Sequence, residues 1–271
     1  MLPLFASIPS PPINDFHIGP LRVTFYGIFI MTGVVIAWLV TRNRFADRGG
    51  DPEVAERIAI RVVAYGFLGA RAAYVSTHLS RFEGEWWKVI AIWEGGLALY
   101  GGLTAGAFVI WYFTRKWRAN LPDFLDSVVP GVAFAQALGR WGNYFNQELF
   151  GTPTDLPWGL EIDPQFRPPQ YAGFETFHPT FLYESLGNAA LGFFIIWAGK
   201  RFPSLRGRLV GIYFLGYGVI RFVMELIRTD TTFRLLGLSR NGWVSLGVIV
   251  LGMVVLWWDR VKVEEDRYTL V

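Results

Sequence analysis

Gly139-Arg140-Trp141-Gly142-Asn143-Tyr144-Phe145-Asn146-Gln147-Glu148-Leu149-Phe150-Gly151 closes an apolar run that opens near residue 124. A guanidinium cannot shed its charge to enter lipid, so an arginine among amides and a carboxylate at the end of such a run marks a functional site by default. Working outward, runs of about 17 apolar residues or more, long enough to cross the hydrocarbon core, recur over 23–40, 58–78, 93–113, 124–145, 179–199, 209–227 and 242–258. They predict an all-α polytopic membrane protein with about seven transmembrane helices, a single integral-membrane domain over 1–271. A chain that is 52% apolar and 17% charged is too greasy for an ordinary soluble domain of this length. The third run is crowded by Gly95, Gly96, Gly101, Gly102 and Gly106, which predicts a broken or partly re-entrant element lining a cavity.

Basic residues set the orientation. Alternate connections and the C-terminus hold 14 Lys and Arg (42, 44, 48, 57, 115, 116, 118, 200, 201, 206, 208, 260, 262 and 267), and the other set holds 6 (81, 88, 167, 228, 234 and 240). The imbalance puts the C-terminus in the cytoplasm and, with seven spans, the N-terminus outside. Arg61, Arg71, Arg140 and Arg221 fall within spans. At a rise of about 1.5 Å per residue, Arg140 and Arg221 both sit roughly 20–24 Å from the cytoplasmic edge, in the outer leaflet. Tyr26, Tyr100, Tyr183 and Glu184 reach a similar depth from inward-running spans.

Two polar stripes cross that layer. Gln136, Arg140, Asn143 and Gln147 recur at intervals of 4, 3 and 4, and Tyr213, Tyr217, Arg221 and Glu225 recur every four, so each set shares one helical face. Facing lipid either stripe would be costly, so both face protein or water. They could be structural networks, with Arg221–Glu225 and Arg140–Glu148 as internal pairs. Two stripes at matched depth, each centred on an arginine, favour an anion site. The anion most available there is a lipid phosphate, whose oxygens suit the paired donors of arginine. The proline- and aromatic-rich stretch 146–178 then reads either as an ordered outer cap, a periplasmic insertion, or as a surface loop with an aromatic belt.

Several classes are excluded or weakened. The absence of cysteine removes disulfides, thiolate metal sites and a protein-borne thiol nucleophile. His17, His78 and His178 have no ligand spacing, so no metal and no cofactor are expected. A net charge of +3 gives no case for nucleic acid, and residues 1–15 lack the basic n-region of a cleaved signal peptide. A transporter or flippase for anionic lipid would be expected to repeat its halves, and no repeat is visible. An intramembrane hydrolase would have to use Ser185 or Thr180 beside His178, a histidine better suited to a capping or structural role.

The stretch Gly139 to Gly151 resembles the signature Gly-Arg-x-x-Asn-Phe-x-Asn-x-Glu-x-x-Gly of the prolipoprotein diacylglyceryl transferases, with Tyr144 where Phe is usual. The likeness extends through Tyr26-Gly27, Gly66 to Val75, Trp93-Glu94-Gly95-Gly96, His178-Pro179-Thr180 with Tyr183-Glu184, and Arg221-Phe222 through Glu225, Arg228 and Asp230. It implies an enzyme of the bacterial cytoplasmic (inner) membrane that moves the sn-1,2-diacylglyceryl group of phosphatidylglycerol to the lipobox cysteine of a preprolipoprotein. It further implies that Arg140 and Arg221 hold the phosphate, that Asn143 and Gly151 shape the headgroup site with Asn146, and that Tyr26 lines it. Glu148 would orient Arg140, and Tyr217 and Glu225 would orient Arg221. A catalytically idle homologue is the remaining alternative, because one departure from the family falls on a catalytic position.

That position is Tyr100, in Leu99-Tyr100-Gly101-Gly102, where the family commonly has His-Gly-Gly and the histidine has been assigned as the base for the thiol. An ordinary tyrosine, with a pKa near 10, is a poor base at neutral pH. Either Tyr100 does the task with arginine help, or no dedicated base exists and the arginine field lowers the thiol pKa. The second reading makes Tyr100 a pocket hydroxyl, and it is the one favoured.

Overall fold

The computed structural model describes residues 7–91, 95–229 and 234–268, with 258–268 as helical backbone; Trp93, Glu94 and Asp230 of the motifs above lie outside the described residues. The helices among them are α1 (Phe25–Asp47), α2 (Pro52–Thr77), α3 (Leu99–Lys116), α4 (Leu121–Phe145), α5 (Thr180–Arg201), α6 (Leu209–Ile227) and α7 (Arg240–Tyr268). Each predicted run overlaps one of these seven, the third only from Leu99 onward, and the chain is an all-α membrane protein. Five of them, α1, α2, α5, α6 and Arg240–Trp257 of α7, are long and apolar enough to cross a membrane. The other two are more polar. Arg115 and Lys116 occupy the last turn of the 18-residue α3, and α4 carries Asp123, Asp126 and Arg140.

Several helices outrun their apolar stretches, because backbone hydrogen bonding needs no apolar side chain. Thus α1 continues to Asp47, and α2 starts at Pro52, where Asp51 caps it by accepting from Glu53 N at 2.8 Å.

The chain forms two compact units, residues 41–127 and residues 1–40 with 128–271. In the first, α2 packs along α3, and the described part of the run 93–113 becomes helical at Leu99, so the break expected in the third element falls ahead of the helix, at the left-handed Gly95 (φ 82°) and Gly96 (φ 76°), and not within it. From Leu99 onward α3 is continuous, and its glycines sit at the helix–helix contact. A Cβ on Gly69 would lie 2.8 Å from Gly101 O, and one on Gly101 would lie 2.5 Å from Gly69 O, so the backbones touch only because both side chains are absent. Ahead of α3, the buried Arg71 organises the connection. It donates Nε to Val89 O (2.8 Å), Nη1 to Gly95 O (2.6 Å) and Gly96 O (3.0 Å), and Nη2 to Lys88 O (2.5 Å).

In the second unit, Val129 and Ala133 of α4, Leu191 and Ile195 of α5, and Leu209 and Tyr213 of α6 form a buried apolar layer. Helix α6 meets α7 through Gly211, Gly218 and Gly252, again at backbone distance. Three two-stranded ribbons accompany the helices: β1 (Asp15–Ile18) with β2 (Leu21–Thr24), β3 (Leu160–Glu161) with β4 (Thr176–Phe177), and β5 (Arg234–Leu235) with β6 (Leu238–Ser239). The stretch 146–178 is ordered around its own core of Phe150, Leu160, Ile162 and Phe177, closed by Phe181 of α5. Residue 8 joins it, since Ile8 bridges Leu160 in parallel and takes Gly159 O at 2.9 Å.

Candidate functional site

Helix α4 delivers Arg140 and Asn143 three residues apart and ends at Phe145. Beyond it Gln147 (φ 49°) and Leu149 (φ 60°) take the left-handed conformation, which costs a non-glycine residue about 1 kcal/mol. The Gln147 amide offsets this with a two-way clasp, donating Nε2 to Asp163 Oδ2 (2.7 Å) and accepting from Asp163 N (2.8 Å). The clasp and the Ser10 hydroxyl (2.8 Å) hold the Asp163 carboxyl below the usual carboxylate range. This corrects the four-residue stripe on α4. Gln136 accepts from Tyr213 Oη at 3.0 Å, Gln147 leaves the face for the cap, and only Arg140 and Asn143 remain for the site.

From Arg140 a polar chain runs in both directions. Arg140 Nη1 donates to Asn143 Oδ1 (3.3 Å), and Glu148 Oε1 accepts from Asn143 Nδ2 (2.8 Å) and Asn146 Nδ2 (3.2 Å). On the other side Arg140 Nη2 lies 2.6 Å from Glu184 Oε2. Glu184, on the first turns of α5, is 1% exposed, and its other oxygen is 3.9 Å from both Arg221 Nη1 and Arg228 Nη1. Arg221 Nη2 is 2.7 Å from Glu225 Oε2, and Glu225 Oε1 accepts from Ser239 Oγ at 2.6 Å. Ser239 also caps α7, taking Gly242 N at 2.9 Å, so α7 anchors the far end of the chain.

Two guanidiniums from different helices thus meet one buried carboxylate. The contacts are close without being aligned: Glu184 Oε2, Glu225 Oε2 and Arg221 Nη1 make no hydrogen bond. Two guanidiniums held against one carboxylate without aligned hydrogen bonds can receive a tetrahedral anion. The carboxylate that meets Arg140 is Glu184, where the motif reading put Glu148; Glu148 acts one step back, through Asn143. Sequence reasoning put Glu184 in the same layer as the arginines and left it out of the site, and it counted Arg228 among loop residues although Arg228 is buried.

The family model described as prolipoprotein diacylglyceryl transferase matches residues 14–258. The chain belongs to the prolipoprotein diacylglyceryl transferase family. It is 42% identical over 252 residues to phosphatidylglycerol–prolipoprotein diacylglyceryl transferase 2 of Streptomyces coelicolor, covering 92% of this chain and 79% of the relative. It is 40% identical over 260 residues to the phosphatidylglycerol–prolipoprotein diacylglyceryl transferase of Gloeobacter violaceus, covering 95% and 96%.

The other residues expected to serve a transferase of this family are placed as follows. Gly151 pairs with Arg228 in an isolated bridge and donates its N–H to His178 O at 3.0 Å. A Cβ there would stand 2.7 Å from His178 Cβ and 3.0 Å from Ile227 O, so glycine lets the cap touch the ends of α5 and α6. Tyr26 of α1 lies against Gly142, where any Cβ would collide with its ring. Tyr217 stacks on Tyr213, with centroids 5.8 Å apart and planes 9° apart. Tyr100 is in the other unit, on the first turn of α3, and is 62% exposed. The residues available to a hydrolase are committed to packing: Ser185 Oγ accepts from Trp141 Nε1 (3.2 Å), Thr180 Oγ1 donates to Leu149 O (2.5 Å), and His178 Nδ1 is 3.4 Å from Tyr183 Oη.

Proposed function

We propose that the protein transfers the sn-1,2-diacylglyceryl group of phosphatidylglycerol to the lipobox cysteine of bacterial prolipoproteins, with Arg140 and Arg221 holding the headgroup phosphate. The observation that carries this reading is the meeting of both guanidiniums on one buried carboxylate in a chain of this family. The substrate thiol gives its proton to water, its sulfur attacks the glyceryl carbon, that carbon's bond to the phosphate oxygen breaks, and glycerol-1-phosphate leaves with one more negative charge than the diester carried. Arginine donors directed at that growing charge bind the transition state more tightly than the ground state. The nucleophile is the substrate's own, in keeping with a chain that has no cysteine. Asn143, Asn146 and Glu148 fix Arg140 from one side, Glu225 and Ser239 fix Arg221 from the other, and Tyr26, Gly151 and Tyr217 shape the surroundings.

All seven helices cross the bacterial inner membrane in this reading, with the N-terminus and the 146–178 cap outside and the C-terminus inside. The basic-residue imbalance supports that orientation. The deciding experiment incubates a lipobox peptide with the purified protein and phosphatidylglycerol and measures the peptide mass. A diacylglyceryl adduct is expected. An unmodified peptide, with lipid moving between vesicle leaflets, would replace transfer by a flippase.

Tyr100 is read as a hydroxyl rather than as the obligatory base. Tyr100→Phe should therefore cost about two- to tenfold in rate, the worth of one neutral hydrogen bond of about 0.5–1.5 kcal/mol. Loss of a true general base costs about a hundred- to ten-thousandfold. A folded Tyr100→Phe enzyme with a thousandfold loss restores a base at this position.

A further inference from the structure

The donors that a phosphate needs face a protein carboxylate in this structure. Arg140 sets Nη1 on Asn143 and Nη2 against Glu184 Oε2 at 2.6 Å, while Glu184 Oε1 lies 3.9 Å from Arg221 Nη1. A phosphodiester entering between Arg140 and Arg221 must take the donors that now face Glu184, and two anions at contact in a poorly hydrated site repel strongly. The carboxylate has an alternative. Arg228, buried and bridged to Gly151 at the end of α6, places Nη1 3.9 Å from the same Oε1. The hold on the first pair is suited to release: Glu184 Oε2 sits close to Arg140 without an aligned hydrogen bond, and Arg221 Nη1 makes none.

We infer that Glu184 is a resident counter-ion, which neutralises Arg140 and Arg221 while the site is empty and passes to Arg228 when phospholipid arrives. It is a positioning residue, and its role rests on the phosphate-clamp reading above. The exchange has a second use. The departing glycerol phosphate binds the arginines more strongly than the diester because of its extra charge, and the returning carboxylate competes it away.

The sign of the effect separates this role from a merely structural one. Glu184→Gln removes the competitor and keeps the side-chain shape. KM for phosphatidylglycerol should fall about tenfold, inhibition by added glycerol-1-phosphate should tighten by at least as much, and kcat should drop as product leaves slowly. Arg228→Gln removes the place to which the carboxylate moves, so KM should rise. A network needed only for folding raises KM in both variants, and that result overturns the inference. If Glu184→Gln does not fold, Glu184→Asp keeps the charge on a shorter arm with a looser hold; its KM should fall, and an unchanged or higher KM overturns the inference. Direct binding of phosphatidylglycerol in vesicles to Arg140→Lys and Arg221→Lys tells the two failures apart. Normal binding in both removes the clamp itself. Weakened binding in both, together with weakened binding in Glu184→Gln, leaves the clamp standing and removes the exchange.

Discussion

Replacing Arg140 or Arg221 with lysine is expected to lower kcat about a hundred- to a thousandfold, the usual cost of losing one preorganised donor to a developing oxyanion. Lysine keeps the charge, but its single ammonium cannot meet Asn143 and Glu184 as Arg140 does, nor Glu184 and Glu225 as Arg221 does. The double variant should lose little more than the worse single one, because the two guanidiniums act on one phosphate as a unit. Turnover read by peptide mass, alongside thermal unfolding, separates lost chemistry from lost fold. Near-normal rates in both single variants would mean that the phosphate is held elsewhere.

The largest loss of stability is expected in the other unit, at Arg71. Its guanidinium serves four carbonyls, at Lys88, Val89, Gly95 and Gly96, which belong to the connection between α2 and α3. Arg71→Met keeps much of the packing volume and strands those acceptors. At about 1–3 kcal/mol for each buried unsatisfied group, and allowing for water reaching some of them, the cost is about 3–5 kcal/mol. Arg71→Lys should fall between, since a point charge on a shorter reach cannot serve four carbonyls. Limited proteolysis within 79–98 is the direct measure. Cleavage no faster than in the parent protein would show that the connection holds itself together without this side chain.

The parts of the fold legible in the sequence are those that lipid dictates. The run 209–227 coincides with α6 because an apolar solvent demands a closed hydrogen-bonded helix of about that length. Arg140 and Arg221 stand out for the same reason, as charges whose cost in lipid requires compensation. The rest depends on contacts between elements distant in sequence. Glu148 is eight residues from Arg140 and was its natural partner on paper, but the carboxylate that meets Arg140 comes from α5, and only the packed register of two helices could reveal that. The end of α4 at Phe145 matches the run 124–145, whereas the course of the chain just beyond it was hidden, because the left-handed residues there are Gln147 and Leu149 rather than glycine. The glycines of α3 misled in the opposite direction: they allow two helices to touch, and periodicity alone does not distinguish contact from breakage.

The cap is completed by the beginning of the chain. Ile8 pairs with Leu160, Ser10 donates to Asp163 across 153 positions, and Pro9 O accepts from Tyr144 Oη at 3.0 Å. During synthesis residues 8–10 emerge without partners and wait until the 153 positions up to Asp163 have followed Ser10. Closure of that long loop comes late and slowly compared with the pairing of neighbouring helices. The cap is therefore among the last parts of the molecule to form, and a chain stalled before residue 160 carries an N-terminal arm with nowhere to dock.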